Sequence, residues 1–163
     1  MEPVGTDNAF DLSAMRIALQ EAEKALREGE VPVGAALYRG GTLLWADHNR
    51  RESLNDPTAH AEILCLRHGA EKLGDWRLTG CTLYVTLEPC PMCAGAMVMS
   101  RLGRCVFGAA DPEAGCCGSV YDLPADPLLR GATAWTHGVL EAECREILKR
   151  GFDRIRPKDQ QPT

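Results

Sequence analysis

The sequence predicts a three-layer α/β/α sandwich around a central mixed sheet of about five strands. Stretches whose apolar residues recur at helical spacing alternate with short stretches rich in β-branched and aromatic residues, which is the pattern of an α/β fold. The first two predicted strands are joined by a short turn and form an antiparallel hairpin, so the sheet has to be mixed. With 163 residues the chain is long enough for one buried core, and we expect residues 1–163 to form a single domain.

The first helix follows a polar segment, residues 1–7, that we expect to be a loose tail. Asn8 or Asp11 can cap the start of this helix, because a short polar side chain there accepts a hydrogen bond from a backbone N–H that has no partner within the helix. Gly29 ends the helix, since glycine readily adopts the left-handed conformation found after helix ends. The apolar positions between these ends recur at helical spacing: Leu12, Met15, Leu19, Ala22 and Leu26.

A hairpin and a second helix come next. Residues 31–38 and 42–46 are predicted to pair as strands across the turn Arg39-Gly40-Gly41. Asp56-Pro57 signals a helix start, because proline is tolerated in the first turn of a helix. The second helix is therefore predicted at residues 58–73.

The second half of the chain continues to alternate strands and helices. Residues 111–126 contain glycine, proline and a pair of adjacent cysteines and are predicted to be mostly loop. Pro157 stops any extension of the last helix, and residues 157–163 form a polar end. The predicted elements are a strand at 81–87, a helix from Pro91 to about 102, strands at 104–108 and 133–136, and a helix from 139 to about 152.

Composition narrows the class of protein. An apolar fraction of 45% and a charged fraction of 25% are ordinary for a globular domain. The net charge of −5 gives no general basic surface, so any contact with nucleic acid has to come from a local patch. We find neither the apolar core of a signal peptide nor an apolar run long enough to span a membrane. Eight cysteines without a secretory signal favour a reducing compartment, and we expect a cytoplasmic protein.

Two short motifs carry the chemistry. His60-Ala61-Glu62 lies at the predicted start of the second helix, and Pro89-Cys90-Pro91-Met92-Cys93 lies at the start of the third. One imidazole and two thiolates are ligands that zinc prefers, and a set of three protein ligands leaves one tetrahedral position for water. We therefore predict one zinc ion per chain, held by His60, Cys90 and Cys93.

Glu62 is predicted to be the catalytic residue. Zinc lowers the pKa of a bound water molecule to about 7 and so supplies a nucleophile at neutral pH. The Glu62 carboxylate can take a proton from this water, deliver it to a ring nitrogen and then help to protonate departing ammonia. The helix N-terminus at Cys90 and Cys93 favours the thiolate form of both ligands. Together these groups suit hydrolytic deamination of a nucleobase.

Other interpretations of the cysteine pair have to be considered. A C-x-x-C pair alone is common in structural zinc sites and in redox sites. A redox pair would not account for the His60 motif upstream. A structural zinc site needs four protein ligands, which would make the chain a non-catalytic, zinc-stabilised binding module. The remaining candidates for a fourth ligand are poorly spaced: His48, His68, Cys116, Cys117 and His137.

The two motifs match the pattern of zinc nucleobase deaminases, in which H-x-E is followed by P-C-x-x-C. From residue 31 onward the chain resembles bacterial tRNA adenosine deaminases of the cytidine deaminase superfamily. The zinc motifs are shared by the whole superfamily, whereas the surrounding segments point to the tRNA-editing branch. These matching segments are residues 30–35, 56–63, 82–90, 92–97, 100–101, 107–109 and 118–119.

This resemblance implies a cytidine deaminase-like fold and hydrolytic conversion of adenosine to inosine at the wobble position of a tRNA anticodon. It also implies a homodimer whose partner is the anticodon arm of tRNA. The helix at 94–99 could form the dimer face, although ordinary core packing explains its small residues and methionines equally well. By position, the resemblance assigns zinc to His60, Cys90 and Cys93, proton transfer to Glu62, and substrate contacts to Asn49, Asp111, Val33, Ala61 and Phe152.

The substrate contacts have ordinary structural alternatives. Asn49 can stabilise a turn instead of hydrogen-bonding the flipped base. Asp111 can form an Asp-Pro turn instead of lying near the RNA backbone. Val33 and Ala61 can be core residues rather than walls of a base pocket.

Two departures from the family bear on the substrate. The family's last helix carries an aromatic residue followed by clustered arginines; Phe152 matches the aromatic residue, but Asp153 and Ile155 interrupt the cluster. The end of the chain is still locally basic and could contact phosphates, although an ordinary solvated helix face explains these charges equally well. Pro91-Met92, between the cysteines, is also used by deaminases of free bases such as guanine deaminase. Deamination of a free nucleobase such as guanine or cytosine is therefore the alternative function.

Overall fold

The computed structural model describes residues 8–155. The predicted tail at residues 1–7 and the predicted polar end from Pro157 onward lie outside the described residues. In chain order the helices and strands are α1 (Ala9–Arg27), β1 (Gly34–Arg39), β2 (Thr42–His48), α2 (Ala61–Leu73), β3 (Cys81–Leu87), α3 (Pro91–Met99), β4 (Arg104–Ala109), β5 (Ala134–His137) and α4 (Glu141–Ile155).

The strands of the described region form a five-stranded sheet in the order β2-β1-β3-β4-β5. β1 is antiparallel to both β2 and β3, whereas β3, β4 and β5 run parallel to one another. α1 and α4 pack on one face of the sheet, and α2 and α3 pack on the other. The predicted three-layer sandwich with a mixed sheet and an N-terminal hairpin is therefore confirmed.

α1 begins and ends as predicted. Asn8 caps it, because its Oδ1 accepts a hydrogen bond of 2.7 Å from the backbone N–H of Asp11. Gly29 follows the last turn with a φ of +78°, a conformation that favours glycine. Neither α1 nor any other helix within residues 8–155 is long and apolar enough to cross a membrane.

The start of β1 and the end of α3 differ from prediction. β1 begins at Gly34 instead of residue 31, because the N–H of Val33 bonds back to the carbonyl of Val31 at 2.8 Å and closes a tight turn. α3 ends at Met99 instead of residue 102, because Arg101 adopts a left-handed φ of +62° that breaks the helix. Both changes shorten an element by a few residues and leave the order of helices and strands along the chain unchanged.

α2 also begins later than predicted, at Ala61 instead of residue 58. The Asp56 carboxylate accepts hydrogen bonds of 2.8 Å from both the backbone N–H and the hydroxyl of Thr58, which holds this segment in a turn. His60 is extended, with φ −73° and ψ 152°, and occupies the N-cap position. The histidine therefore lies just before the helix, while Glu62 lies within its first turn.

α1 lies directly against β1 at Gly34. A Cβ atom added at this residue would lie 1.9 Å from the carbonyl oxygen of Ala18 and 2.4 Å from the backbone nitrogen of Ala22. Backbone atoms of a packed helix cannot move aside as a flexible side chain can. The helix presents its own small side chains at this contact, where Ala14, Ala18, Ala22 and Ala25 are buried. The absence of a side chain at Gly34 therefore sets the distance between the first layer and the sheet.

We expect Gly34→Ala to lower the free energy of unfolding by at least about 2 kcal/mol, because overpacking against backbone atoms forces the helix and strand apart. Urea denaturation followed by circular dichroism measures this loss. Gly41→Ala is the matched control, since a Cβ at Gly41 meets nothing within 4 Å; it should change stability by less than about 0.5 kcal/mol. Equal effects of the two substitutions would contradict the close approach of α1.

Candidate active site

Two helix N-termini meet beside the carboxyl end of β3. His60 immediately precedes α2, Cys90 immediately precedes α3, and Cys93 lies in the first turn of α3. His60 and Cys90 both occupy N-cap positions, yet neither side chain caps its own helix. The ring and the thiol face each other instead. The structure thus brings together the three residues that were predicted as zinc ligands.

The spacing of the donor atoms fits a zinc ion. His60 Nδ1 lies 3.6 Å from Cys90 Sγ and 3.5 Å from Cys93 Sγ. A tetrahedral zinc ion, with Zn–S bonds of about 2.3 Å and Zn–N bonds of about 2.0–2.1 Å, separates sulfur from nitrogen by about 3.6 Å. Within residues 8–155, no fourth His, Cys, Asp or Glu side chain joins this group of three. The arrangement suits a site with one open coordination position.

The electrostatics of the site favour negative charge on sulfur. Hydrogen bonds from Cys93 and from His60 lower the pKa of Cys90 to about 4. The hydrogen bond to Cys90 raises the pKa of Cys93, and burial raises it further, so the pair shares its remaining proton on Cys93. The hydrogen bond with Cys90 also raises the pKa of His60. A cation at this place would meet one thiolate already formed and would displace the remaining protons on binding.

Glu62 lies in the first turn of α2, beside the donor atoms. Its side chain is almost wholly buried, with 4% exposure, and burial raises the pKa of its carboxyl group. The carboxylate hydrogen-bonds to Cys93 and to its own backbone N–H. It is not one of the three donor groups that could share an ion. A carboxyl group with increased proton affinity therefore lies next to the candidate metal position without being part of it.

A cavity of about 210 Å³ opens over these groups. Val33, Asn49, Ala61 and Asp111, which were predicted as substrate contacts, all line it together with His60, Glu62 and Cys90. Phe152, the fifth predicted contact, does not. It is 48% exposed on α4 and lines a separate cleft. The structure thus groups four of the five predicted substrate residues around one space and leaves Phe152 outside it.

Asn49 makes the turn-stabilising contacts that the sequence allowed, and it also lines the cavity. Its Nδ2 donates to the carbonyl of Val31 at 3.3 Å, and its Oδ1 accepts from the backbone N–H of Arg51 at 3.1 Å. These contacts stabilise the local turn and fix the orientation of the amide. An amide has two N–H donors and two lone pairs, so one donor and one acceptor remain for a ligand in the cavity.

Asp111 makes the contacts expected of a turn residue. Its Oδ1 accepts hydrogen bonds from the backbone N–H groups of Glu113 at 3.0 Å and Ala114 at 3.2 Å. Its Oδ2 accepts no hydrogen bond from the described residues. The side chain therefore organises the loop, and the residue also lines the cavity.

Glu88 organises this loop from the other side, and the sequence analysis did not identify it. It is buried at the end of β3. One carboxylate oxygen accepts from the Asp111 N–H at 3.1 Å and from the Ser119 hydroxyl; the other accepts from the N–H groups of Cys117 at 3.0 Å and Ser119 at 3.2 Å. A Cβ at Gly115 would lie 2.3 Å from this carboxylate. The only sequence signal was an acidic residue directly after an apolar strand.

His48 was also missed as an organising residue. Its ring is buried at the end of β2, with Nδ1 2.9 Å from Glu21 and Nε2 2.8 Å from Glu28, both on the α1 side. Each ring nitrogen faces a carboxylate oxygen. Only imidazolium can donate a hydrogen bond to both oxygens, because neutral imidazole has a single N–H. Burial opposes the charge, but the hydrogen bonds to Glu21 and Glu28 outweigh it and raise the pKa of His48. This bridge ties α1 to the residue next to Asn49.

The similarity to known proteins extends over most of the chain, well beyond the two motifs. Residues 9–109 match the family model of the cytidine and deoxycytidylate deaminase zinc-binding region. A tRNA-specific adenosine deaminase of Bacillus subtilis (strain 168) is 46% identical over 144 residues, covering 88% of this chain and 89% of the relative. One from Haemophilus influenzae is 43% identical over 157 residues, covering 96% and 91%. A solved structure from a study of A-to-I editing by tRNA:A34 deaminases at the wobble position of transfer RNA has a TM-score of 0.81 and 43% identity, covering 83% of this chain and 98% of that chain.

We expect Glu88→Gln to loosen the loop at residues 111–119. Glutamine keeps the size of glutamate but replaces one acceptor oxygen with a donor, so two of the four hydrogen bonds would face another donor. The free energy of unfolding should fall by about 1–3 kcal/mol, and the amides of Cys117 and Ser119 should exchange hydrogen faster. Ser119→Ala, which removes only the hydroxyl, should have a smaller effect. Unchanged amide exchange in Glu88→Gln would refute this role.

We expect stability to depend on pH through His48. The pKa of His48 in the folded protein is raised above its ordinary value of 6.5, so its contribution is fully present below pH 6.5 and is lost as pH rises through the folded pKa. Urea denaturation at a series of pH values above 6.5 measures this loss. In His48→Gln, which cannot titrate, this part of the pH dependence should disappear. An identical profile in both proteins would show that the bridge carries no charge.

Proposed function

The chain belongs to the cytidine and deoxycytidylate deaminase family and, within it, to the tRNA-specific adenosine deaminases, and from this premise we propose that it converts adenosine to inosine at the wobble position of a tRNA anticodon. One observation carries the proposal: His60, Cys90 and Cys93 converge within 4.8 Å beside a buried carboxyl group in a cavity. The extent of the similarity selects the substrate class.

His60, Cys90 and Cys93 would hold the zinc ion, with His60 binding through Nδ1. The nitrogen-to-sulfur separations of 3.5 and 3.6 Å and the lowered pKa of Cys90 support this assignment. When bound, zinc supplies the positive charge that makes water a nucleophile at neutral pH. Placing both helix N-termini at this position adds further positive potential, which stabilises the thiolates.

Glu62 moves the protons. The reaction consumes water and releases ammonia, as a C–O bond forms at C6 of adenine and the C6–N6 bond breaks. The Glu62 carboxylate takes a proton from the attacking water, gives it to N1 of the ring, and then assists proton transfer to the departing amine. The raised pKa of this buried group supports the role, because burial increases the affinity of the carboxylate for the proton that it has to accept.

The cavity walls would orient the base. Val33 and Ala61 are buried apolar residues that exclude water from the faces of the ring. Asn49, held by its contacts to Val31 and Arg51, offers its remaining donor and acceptor to the purine edge. Only a base turned out of its stack could enter a cavity of about 210 Å³.

The anticodon arm would extend beyond this cavity. The neighbouring cleft, lined by Phe152 with Arg145 and Lys149 of α4, offers a ring for stacking and the Lys149 cation for phosphates. Arg145 is paired with Glu141 at 2.6 Å, and a phosphate would have to compete for it. Asp111 lies in the first cavity, and Pro112 lines the second cleft. We therefore assign Asp111 to RNA at the edge of the base pocket, where the cavity adjoins the cleft, and Phe152 to RNA beyond that pocket. The cell compartment would be the cytoplasm, where tRNA is available.

We propose that the protein works as a homodimer with one zinc site per chain and that residues 1–163 form its catalytic domain. At the end of α3, Met99 is 69% exposed, next to the half-buried Gly95 and Ala96. Further large apolar side chains are exposed in the loop that follows β4, which would be unusual in a monomer. These exposed residues are Val120, Tyr121, Leu128 and Leu129.

The test uses a tRNA anticodon stem-loop with adenosine at the wobble position, followed by nucleoside analysis for inosine. The wild-type protein should produce inosine, and Glu62→Ala should retain zinc but lose activity by about 10²–10⁴-fold. Ammonia released only from free guanine, adenine or cytosine would instead establish a free-base deaminase. Zinc binding without any turnover would indicate a non-catalytic binding module. Loss of zinc in Glu62→Ala would contradict the assignment of Glu62 as a non-ligand.

A further inference from the structure

The charge of the cavity is unfavourable for a polyanion except at one residue. Glu62, Glu88 and Asp111 are acidic residues that line this space. Arg51 is the only lysine or arginine among the described residues that line this space. The whole chain carries a net charge of −5, so no general attraction compensates. The negative charge of a phosphodiester group at this cavity therefore has to be neutralised by a nearby cationic side chain.

The guanidinium group of Arg51 has no partner in the described part of the chain. Its neighbour Arg50 is bonded through Nε to Asp47 at 2.7 Å, and Arg104 is bonded to Asp11 at 2.8 Å. The Arg51 side chain, in contrast, makes no ion pair or hydrogen bond with any of residues 8–155. It is exposed, and it also lines the cavity, so it lies at the cavity rim.

The backbone that carries Arg51 is held firmly. The Arg51 N–H donates to Asn49 Oδ1 at 3.1 Å, and the Arg51 carbonyl accepts from the N–H of Asp56 at 3.1 Å. Buried Glu30 accepts from the next N–H group, that of Glu52, at 3.2 Å, and from the Ser53 N–H at 2.7 Å. The backbone of Arg51 is thus positioned before the substrate arrives, so binding has to order only the side chain.

We propose that Arg51 binds a phosphodiester group next to the nucleotide whose base occupies the cavity. Guanidinium is suited to this contact, because its planar N–H groups match two phosphate oxygens. Asn49 would then bind the base of the reacting nucleotide and Arg51 the phosphate. The two residues are linked, since Asn49 Oδ1 accepts a hydrogen bond from the Arg51 N–H. This inference rests on the proposed function, because it requires a nucleic acid substrate.

Arg51→Ala should raise KM for the wobble-adenosine stem-loop about tenfold and leave kcat nearly unchanged, because the lost charge-assisted hydrogen bonds act on binding. The slope of log KM against log salt concentration should fall by about 1, as expected when one phosphate contact is lost. Arg51→Lys should retain part of the affinity, because it keeps the charge but not the paired geometry. Arg39→Ala is the matched control: it removes an exposed arginine at the hairpin end of β1, away from the cavity, and should change neither value.

A protein–RNA double-mutant cycle identifies the contacted group. Stem-loops with an uncharged methylphosphonate at the linkage either 5′ or 3′ to the wobble adenosine are assayed with wild-type protein and Arg51→Ala. At one linkage, the methylphosphonate should weaken wild-type binding about tenfold and leave Arg51→Ala nearly unaffected. Equal losses in both proteins at both linkages would overturn the inference. The result is separable from the proposed function, which fails only if wild-type protein makes no inosine from the unmodified stem-loop.

Discussion

The site depends on the meeting of two helix starts at one end of the sheet. His60 and Cys90 stand where a capping side chain normally bonds to its own helix, and both side chains instead point toward a common position. The N–H groups of the two first turns stabilise thiolates, and the negative charge on sulfur in turn attracts a cation. The position of this centre follows from the layers, since β3 leads into α3 and α2 packs on the same face of the sheet.

Three buried glutamates around the cavity differ in role because they differ in hydrogen-bond partners. Glu88 accepts four hydrogen bonds from a single loop, and Glu30 accepts two from another, so both carboxylates are used to hold backbone. Within residues 8–155, Glu62 hydrogen-bonds only to Cys93 and to its own N–H, and burial raises its pKa. A carboxylate that is satisfied by backbone donors is a structural anchor, whereas one that is buried with few donors can exchange protons. The loops are thus anchored by Glu88 and Glu30, while Glu62 is the carboxyl group whose proton affinity is raised.

Features that depend on local patterns in the chain could be predicted from the sequence. Apolar spacing predicted the layers and the mixed sheet, and the spacing of ligand residue types at helix starts identified the three residues that converge on the candidate zinc position. The starts of β1 and α2 were wrong because hydrogen-bonded turns at Val33 and Thr58 delay them, and periodicity does not contain those bonds. Glu88, His48 and Arg51 were missed for a different reason. Their roles depend on groups that approach only after folding, and an acidic, histidine or arginine residue at the end of a strand or in a loop has no distinctive spacing.

The central claim is a zinc centre with three protein ligands and one open position. X-ray absorption spectroscopy at the zinc edge, on full-length protein with its metal content measured, tests this claim most directly. We predict one zinc per chain, two sulfur neighbours at about 2.3 Å, and two nitrogen or oxygen neighbours at about 2.0 Å of which one is an imidazole. A third sulfur or a second imidazole would mean a closed structural site and would contradict the account.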